Sequence, residues 1–282
     1  MQPRIPSKAE RPAPGAAVFD RILVGIDSTD ESLVAAVQAG VLRAPGGQLV
    51  LLAAVERHQA AHAGLFARTA EEHLRAGASA ELERAGELVD ADDAVLAQGS
   101  LVPLLCSECA RRGATLIAVG VRPHRRLAAA AFGGHDVEAL HDVRCSLLIA
   151  RPGWGPAHPD RVVVGVDGSQ ESWRAEAVAR SLAGRLGCEV VPVVALGAEV
   201  DLAVLRAERE DALLHPGPLL EGVVSASTSR SLIVVGRAGA QRGRGGSPAE
   251  RLVYAARCSV LVVEQEPGGA TGAADPGTPA DG

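Results

Sequence analysis

The sequence is poor in lysine and in aromatic residues. Lys8 is the only lysine among 28 basic residues, and Phe, Trp and Tyr together make up 2% of the 282 residues. A phosphate-binding loop of the GxxxxGK[ST] type requires a lysine, so that class of nucleotide site is excluded. Because few rings are available, the 47% of hydrophobic residues must pack mainly as Val, Leu, Ile and Ala. Such an aliphatic core suits a parallel sheet that is buried on both faces.

The chain also lacks a positive net charge, an apolar run of membrane length and an even number of cysteines. A net charge of −6 gives no electrostatic reason to expect a nucleic-acid partner. No stretch is long enough to span a membrane, and residues 1–15 hold no apolar signal region. Five cysteines fit a reducing compartment better than a disulfide scaffold. We therefore expect a cytoplasmic protein with neither a nucleic-acid nor a membrane partner.

Two halves of the chain resemble each other in the same order. Residues 20–27 return at 160–167, residues 116–120 return at 232–236, and residues 144–148 return at 257–261. In each copy, short β-branched runs alternate with helical stretches, a pattern that predicts a parallel sheet with crossover helices. We therefore predict an α/β fold of two tandem domains, each an open five-stranded parallel sheet with helices on both faces.

The predicted elements follow the β-branched runs and the helical spacing of apolar residues. The strands of the first copy are Arg21–Ile26, Leu49–Val55, Ala94–Gln98, Thr115–Gly120 and Ser146–Ala150. Those of the second copy are Arg161–Val166, Glu189–Ala195, Leu213–Leu214, Ser231–Gly236 and Ser259–Val263. A long helix is predicted over Ala67–Val89, and its counterpart in the second copy is shorter, Val200–Asp211. The predicted domains are 19–151 and 159–266, with a linker at 152–158 and disordered tails at 1–18 and 267–282.

Ligands of open α/β sheets bind beyond the carboxyl ends of the strands, so the loops after the first and fourth strands form the candidate site. In the second copy, Asp167, Gly168 and Ser169 follow the first strand, and Asp27 occupies the matching position of the first copy. Aspartate and serine at this place either cap the next helix or hold a ribose. Taken by itself, the pattern favours the helix cap.

A Gly/Arg loop follows the fourth strand of the second copy. It begins at Gly236 and Arg237 and ends at Gly246 and Ser247, directly before Pro248. The last residues have the pattern of a helix start, with a serine cap and a proline in the first turn. The loop is either a solvated surface loop or a phosphate cradle, in which Arg237 would replace the missing lysine.

These motifs resemble the universal stress protein family. The resemblance rests on the first-strand segment VGVDGS, the glycine loop and the final strand CSVLVV, and it covers about residues 19–151 and 159–265. It implies an adenine nucleotide alpha hydrolase-like fold, ATP or AMP binding in some members, and pairing of two domains, within one chain or in a homodimer. The family's pattern G-2x-G-9x-G-[S/T] falls on Gly236, Gly239, Gly246 and Ser247, with Asp167 near the adenosine.

Both copies depart from the family pattern. In the second copy only six residues separate Gly239 from Gly246. The first copy keeps the full length, but Pro123 replaces the second glycine and Gly134 replaces the hydroxyl residue. We therefore interpret the first copy as a degenerate second site, made of Asp27, Gly120, Gly133 and Gly134.

The leading hypothesis is a non-catalytic, adenine-nucleotide-binding stress-response or regulatory protein, because nothing in the sequence resembles a general base or an activated nucleophile. The alternative is a nucleotide-free interaction scaffold with an unspecified protein partner, which Pro123 and the shortened loop favour. Cys106 and Cys109 have CxxC spacing, but apolar packing is favoured over a metal or redox role. Cys145 and Cys258 are interpreted as structural.

Overall fold

The computed structural model describes residues 19–56, 67–121, 145–154, 158–195, 211–237 and 248–264. The first half of the chain contains β1 (Phe19–Ile26), α1 (Asp30–Leu42), β2 (Arg43–Val55), α2 (Ala67–Val89), β3 (Asp93–Gln98), α3 (Leu101–Arg112), β4 (Leu116–Gly120) and β5 (Ser146–Ala150). The second half contains β6 (Arg161–Val166), α4 (Gln170–Leu186), β7 (Glu189–Ala195), β8 (Leu213–His215), α5 (Leu219–Ala226), β9 (Ser231–Gly236), α6 (Pro248–Ala255) and β10 (Ser259–Val263). The predicted α/β fold class is confirmed.

Most predicted elements agree with the structure within a residue or two. The helix Ala67–Val89 has the predicted bounds. The exception is β2, which begins at Arg43 rather than Leu49 because Arg43 pairs with Phe19 ahead of an irregularity at residues 44–47, where Gly46 has φ +75°. The predicted helix Val200–Asp211 lies outside the described residues except for Asp211, which is in a turn. Both predicted tails, and residues 155–157 of the linker, lie outside them as well.

The two halves share one ten-stranded sheet with the order β3-β2-β1-β4-β5-β10-β9-β6-β7-β8. Within each half all neighbouring strands are parallel. The halves meet where β5 pairs with β10 in the antiparallel sense. An edge strand of each half is thereby paired instead of exposed, which removes a surface that promotes aggregation.

Helices cover both faces of the sheet over an aliphatic core. One layer, under α1, α2 and α4, runs without interruption through both halves, from Ile22 to Val162 and Leu182. The other layer lies under α3, α5 and α6 and includes Leu105 and Val223. Because parallel strands are covered on both faces, their residues are apolar almost throughout, as the composition predicted.

Polar groups hold the junction between the halves. The Gln38 amide donates to the Arg151 carbonyl oxygen over 2.8 Å, and the Ser259 hydroxyl donates to Oε1 of Gln38 over 2.7 Å. The buried Arg151 guanidinium donates to the Val253 carbonyl oxygen over 2.6 Å. Arg185, near the end of α4, donates to the carbonyl oxygens that close α1, including that of Leu42 over 2.8 Å. These contacts satisfy backbone carbonyls that a helix or strand end would otherwise leave unpaired.

Candidate functional site

The carboxyl end of the second half has the geometry expected of a ligand site in a doubly wound sheet. From β6 the chain proceeds to β7 and β8 on one side, and β9 then pairs on the other side of β6. Doubly wound sheets bind their ligands where strand order reverses in this way. Asp167 follows β6 and Gly236 ends β9, so the two predicted site residues lie on neighbouring strands at the same edge.

Asp167 and Ser169 form a tight turn that starts α4. Oδ1 of Asp167 accepts hydrogen bonds from the Ser169 backbone N–H over 2.9 Å and from its hydroxyl over 2.6 Å. The Ser169 Oγ in turn accepts from the Ser172 N–H over 3.1 Å and caps the helix. Gly168 has φ +85°, a left-handed conformation that glycine adopts without strain. The helix cap favoured by the sequence pattern is therefore present.

The electrostatics of this turn keep Asp167 ionised. Burial opposes the charged form, but the hydrogen bonds from Ser169 and Ser172 outweigh it and lower the pKa of Asp167. A carboxylate that is held at the end of a strand and stays charged can accept hydrogen bonds from ligand hydroxyl groups.

The first half repeats the same turn with threonine in place of serine. Oδ1 of Asp27 accepts from the Thr29 backbone N–H over 2.9 Å and from its hydroxyl over 2.5 Å. Thr29 caps α1 by accepting from the Ser32 N–H over 3.3 Å. Asp27 and Gly120 flank the switch point between β1 and β4. Asp167 and Gly236 flank the equivalent switch point between β6 and β9.

The two strand-end glycines have a structural role that the sequence interpretation did not anticipate. A Cβ on Gly120 would lie 2.0 Å from the Glu31 carbonyl oxygen, and a Cβ on Gly236 would lie 2.4 Å from that of Glu171. Both neighbours are backbone atoms in the first turn of the capped helix. Glycine is therefore required here so that the helix N-terminus can pack on the strand end, whatever it also offers to a phosphate.

Arg237 contacts the junction between the halves. Its backbone N–H donates to the Val263 carbonyl oxygen over 2.9 Å. Its guanidinium forms an ion pair with Glu264, and Nη2 donates to the Cys145 carbonyl oxygen over 2.9 Å. The bond to Cys145 connects the side chain to the first half of the sheet. The role of Arg237 as a phosphate ligand stays a prediction.

Trp173, in the first turn of α4, is a residue of this edge that sequence reasoning missed. Its ring packs with Val166, Val194 and Leu214 at the carboxyl ends of β6, β7 and β8. Its buried indole Nε1 has no hydrogen-bond partner among the described residues. A buried indole N–H normally has a partner. The sequence did offer a signal, which is the rarity of this residue: the chain has two tryptophans, and aromatic residues make up 2% of it.

Several predicted residues fall outside the part of the chain that the structure describes. They are Gly239, Gly246 and Ser247 of the second half and Gly133 and Gly134 of the first. Pro248, predicted for the first turn of the following helix, is helical in α6.

The CxxC segment lies on α3, as its position before the fourth strand indicated. Cys109 is buried there, whereas Cys106 is partly exposed. Across the described ranges, no group of three or more His, Cys, Asp or Glu side chains is placed to hold a metal ion. None of the helices in those ranges is both long enough and apolar enough to cross a membrane.

Comparison with known proteins agrees with this architecture. Residues 19–151 match the model of the universal stress protein family. A universal stress protein from Archaeoglobus fulgidus DSM 4304 superposes with a TM-score of 0.68 at 16% identity, over 88% of this chain and 97% of that one. A functionally unknown protein from Pseudomonas aeruginosa PAO1 gives 0.58 at 20% identity, over 87% and 92% of the two chains.

A more distant likeness is to the cytoplasmic domain of a prokaryotic cation chloride cotransporter, with a TM-score of 0.51 at 11% identity over 87% of this chain and 95% of that one. At these identities the structural likenesses show the fold alone. No curated protein matches the chain. The match places residues 19–151 of the chain in the universal stress protein family.

Proposed function

We propose that this chain is a non-catalytic regulatory protein of the stress response that binds ATP or AMP in its second half. The observation that carries the proposal is the position of Asp167 and Gly236 on neighbouring strands at the switch point. The odd number of cysteines fits a reducing compartment, and we propose that the protein works in the cytoplasm.

The nucleotide would lie across this edge with its ribose at Asp167. The lowered pKa of that carboxyl keeps it charged at neutral pH and able to accept ribose hydroxyls. The phosphates would face the glycine loop and the start of α6 at Pro248, because a helix N-terminus favours negative charge. The base would lie beside the apolar cluster of Val166, Val194 and Trp173 at the carboxyl ends of the strands.

The second half is the better candidate because the equivalent positions differ in the first. Leu33 stands in the first half where Trp173 stands in the second, and it is buried in the core. The lowered pKa of Asp167 also makes that carboxylate a weak base, which supports binding without turnover.

One observation favours the rival hypothesis of a nucleotide-free interaction scaffold. The guanidinium of Arg237, the cation nearest the start of the glycine loop, is engaged by Glu264 and Cys145 at the junction. The two hypotheses predict opposite results for nucleotide binding, so one binding experiment separates them.

The experiment combines mass spectrometry of small molecules released by denaturing the purified chain with calorimetric titration of ATP and AMP. Asp167→Ala should weaken binding at least about tenfold, since hydrogen bonds to a charged group contribute roughly 1.5–3 kcal/mol. The matched variant Asp27→Ala should leave affinity unchanged. Trp173→Leu, which introduces the residue of the first half, should also weaken binding. No released nucleotide and no binding at millimolar ligand would reject the proposal in favour of the scaffold.

A further inference from the structure

Two cysteines away from the candidate nucleotide site are in direct contact. Cys109 lies in the last turn of α3, and Cys145 directly precedes β5. Their Sγ atoms are 3.2 Å apart, although the residues are 36 positions apart in sequence. Both residues are 4% exposed, and neither forms a disulfide in the structure. The CxxC partner suggested by spacing, Cys106, is therefore not the cysteine that Cys109 meets.

The contact has the chemistry of a reactive thiol pair. The contact with Cys145 lowers the pKa of the Cys109 thiol, while the same contact raises the pKa of Cys145. The lowered pKa favours the thiolate of Cys109, and the thiolate is the nucleophile in thiol chemistry. A disulfide has an S–S distance of about 2.05 Å, so the two atoms need to approach by roughly 1.2 Å.

The second half of the chain provides an internal comparison. Cys258 precedes β10 as Cys145 precedes β5, and it is likewise buried. Burial raises the pKa of Cys258, whereas a hydrogen bond with the Ser227 hydroxyl lowers it. Ser227 therefore occupies the position of Cys109. The helix contacts agree, because Leu105 packs over Gly25 in the first half as Val223 packs over Gly165 in the second. A pair of thiols is present in the first half alone.

We propose that Cys109 and Cys145 form a reversible dithiol–disulfide couple that a peroxide oxidises. The Cys109 thiolate attacks one peroxide oxygen and breaks the O–O bond, and the departing oxygen takes up a proton and leaves as water or an alcohol. The Cys145 sulfur then attacks the resulting sulfenic acid. The S–S bond forms, and the hydroxyl group leaves with the Cys145 proton as water. Two thiols lose two electrons, the peroxide gains them, and a dithiol reductant reverses the change.

The couple is placed where it acts on the junction between the halves. The Cys145 carbonyl oxygen accepts from Nη2 of Arg237 over 2.9 Å. The next residue, Ser146, accepts through its hydroxyl oxygen from the Glu264 N–H over 3.2 Å. Because Arg237 and Glu264 form an ion pair, movement of Cys145 toward Cys109 acts on residues of the second half. Oxidation in the first half is thereby linked to the start of the glycine loop.

The test uses the reduced, full-length chain, treated with increasing hydrogen peroxide under native conditions and mapped without reduction by peptide mass spectrometry. We expect a peptide cross-linked through Cys109 and Cys145, lost on treatment with dithiothreitol, while Cys188 stays unlinked. If both cysteines stay reduced in folded protein under excess peroxide, or if the cross-link joins other cysteines, the proposal is overturned. Circular dichroism recorded alongside confirms that the chain remains folded.

Three variants sharpen the result. Cys145→Ser removes the resolving thiol, so Cys109 should accumulate as a sulfenic acid that dimedone traps. Cys258→Ser should leave the cross-link intact. Ser227→Cys reproduces the pair in the second half and should create a second cross-link, to Cys258. A folded Ser227→Cys protein without that link, or a Cys145→Ser protein without dimedone labelling, would contradict the proposed geometry and order of attack.

Discussion

Replacing Gly120 with alanine should destabilise the protein, because the structure leaves no space for a Cβ at the end of β4. That atom would lie 2.0 Å from the Glu31 carbonyl oxygen and 2.6 Å from the Ser32 nitrogen. Ordinary contacts begin near 3.4 Å, so the first turn of α1 has to retreat by more than an ångström. Both neighbours are backbone atoms, and side-chain rotation cannot relieve the clash.

The magnitude follows from two opposing terms. Overpacking of a filled site costs about 1–3 kcal/mol, and a clash with helix backbone belongs at the upper end. Alanine also restricts the unfolded chain, which returns about 0.4–1 kcal/mol of stability. We therefore expect a net loss of about 2 kcal/mol. Gly236→Ala should act in the same direction through Glu171, where the nearest approach is 2.4 Å.

Urea denaturation followed by circular dichroism measures this loss. The matched control is Gly184→Ala in α4, where an added Cβ meets nothing within 4 Å. Alanine in that helix interior should stabilise the protein by about 0.5–1 kcal/mol. If Gly120→Ala unfolds at the same urea concentration as Gly184→Ala, the packing argument for the strand-end glycines is refuted.

Three other measurements examine separate contacts. Oxidation of Cys109 and Cys145 closes a loop across 36 positions and should raise the free energy of unfolding by about 3–4 kcal/mol, lost again on reduction. Arg185→Ala should cost about 2 kcal/mol in urea denaturation, since it leaves α1 carbonyls unpaired, whereas the exposed Arg68→Ala should change little. Hydrogen bonds from Arg111 and Arg112 lower the pKa of Glu108 from 4.5 to about 2, so its stabilising contribution is present above pH 4.5 and is lost as pH falls toward 2. Glu108→Gln should flatten that part of the acid unfolding profile, and an unchanged profile would count against the assignment.

The bounds of several strands could be predicted from their residue types. β5, β6 and β10 are β-branched or leucine-rich runs, so their bounds were predicted correctly. The start of β2 at Arg43 was not predicted because Pro45, Gly46 and Gly47 are typical of loops, and they form an irregularity between the paired residues Arg43 and Gln48, with Gly46 at φ +75°. The pairing of Arg43 with Phe19 beyond that irregularity depends on tertiary structure, which no local pattern supplies.

The candidate site shows the same division between local and tertiary information. The Asp167–Ser169 turn and the closeness of Asp167 to Gly236 follow from local capping and from strand order, and both were predictable. The direction of the Arg237 side chain and the burial of the Trp173 indole nitrogen depend on how α4 and β10 pack. The contact between Cys109 and Cys145 joins two elements that no local pattern relates.

Because β5 pairs with β10 within one chain, the two halves can differ in sequence, whereas the subunits of a symmetric dimer cannot. In a homodimer every substitution appears in both subunits, so the two copies of a site change together. Here the junction is built within one chain, from Gln38, Arg151 and Ser259, and each half can change alone. The differences lie at equivalent positions: the first half has a thiol pair where the second has serine and cysteine, and the second has tryptophan where the first has leucine. Such a division implies that a substitution can remove disulfide formation in the first half without removing ligand binding by the second, so a Cys145→Ser chain should keep the nucleotide affinity of the reduced protein when peroxide is present.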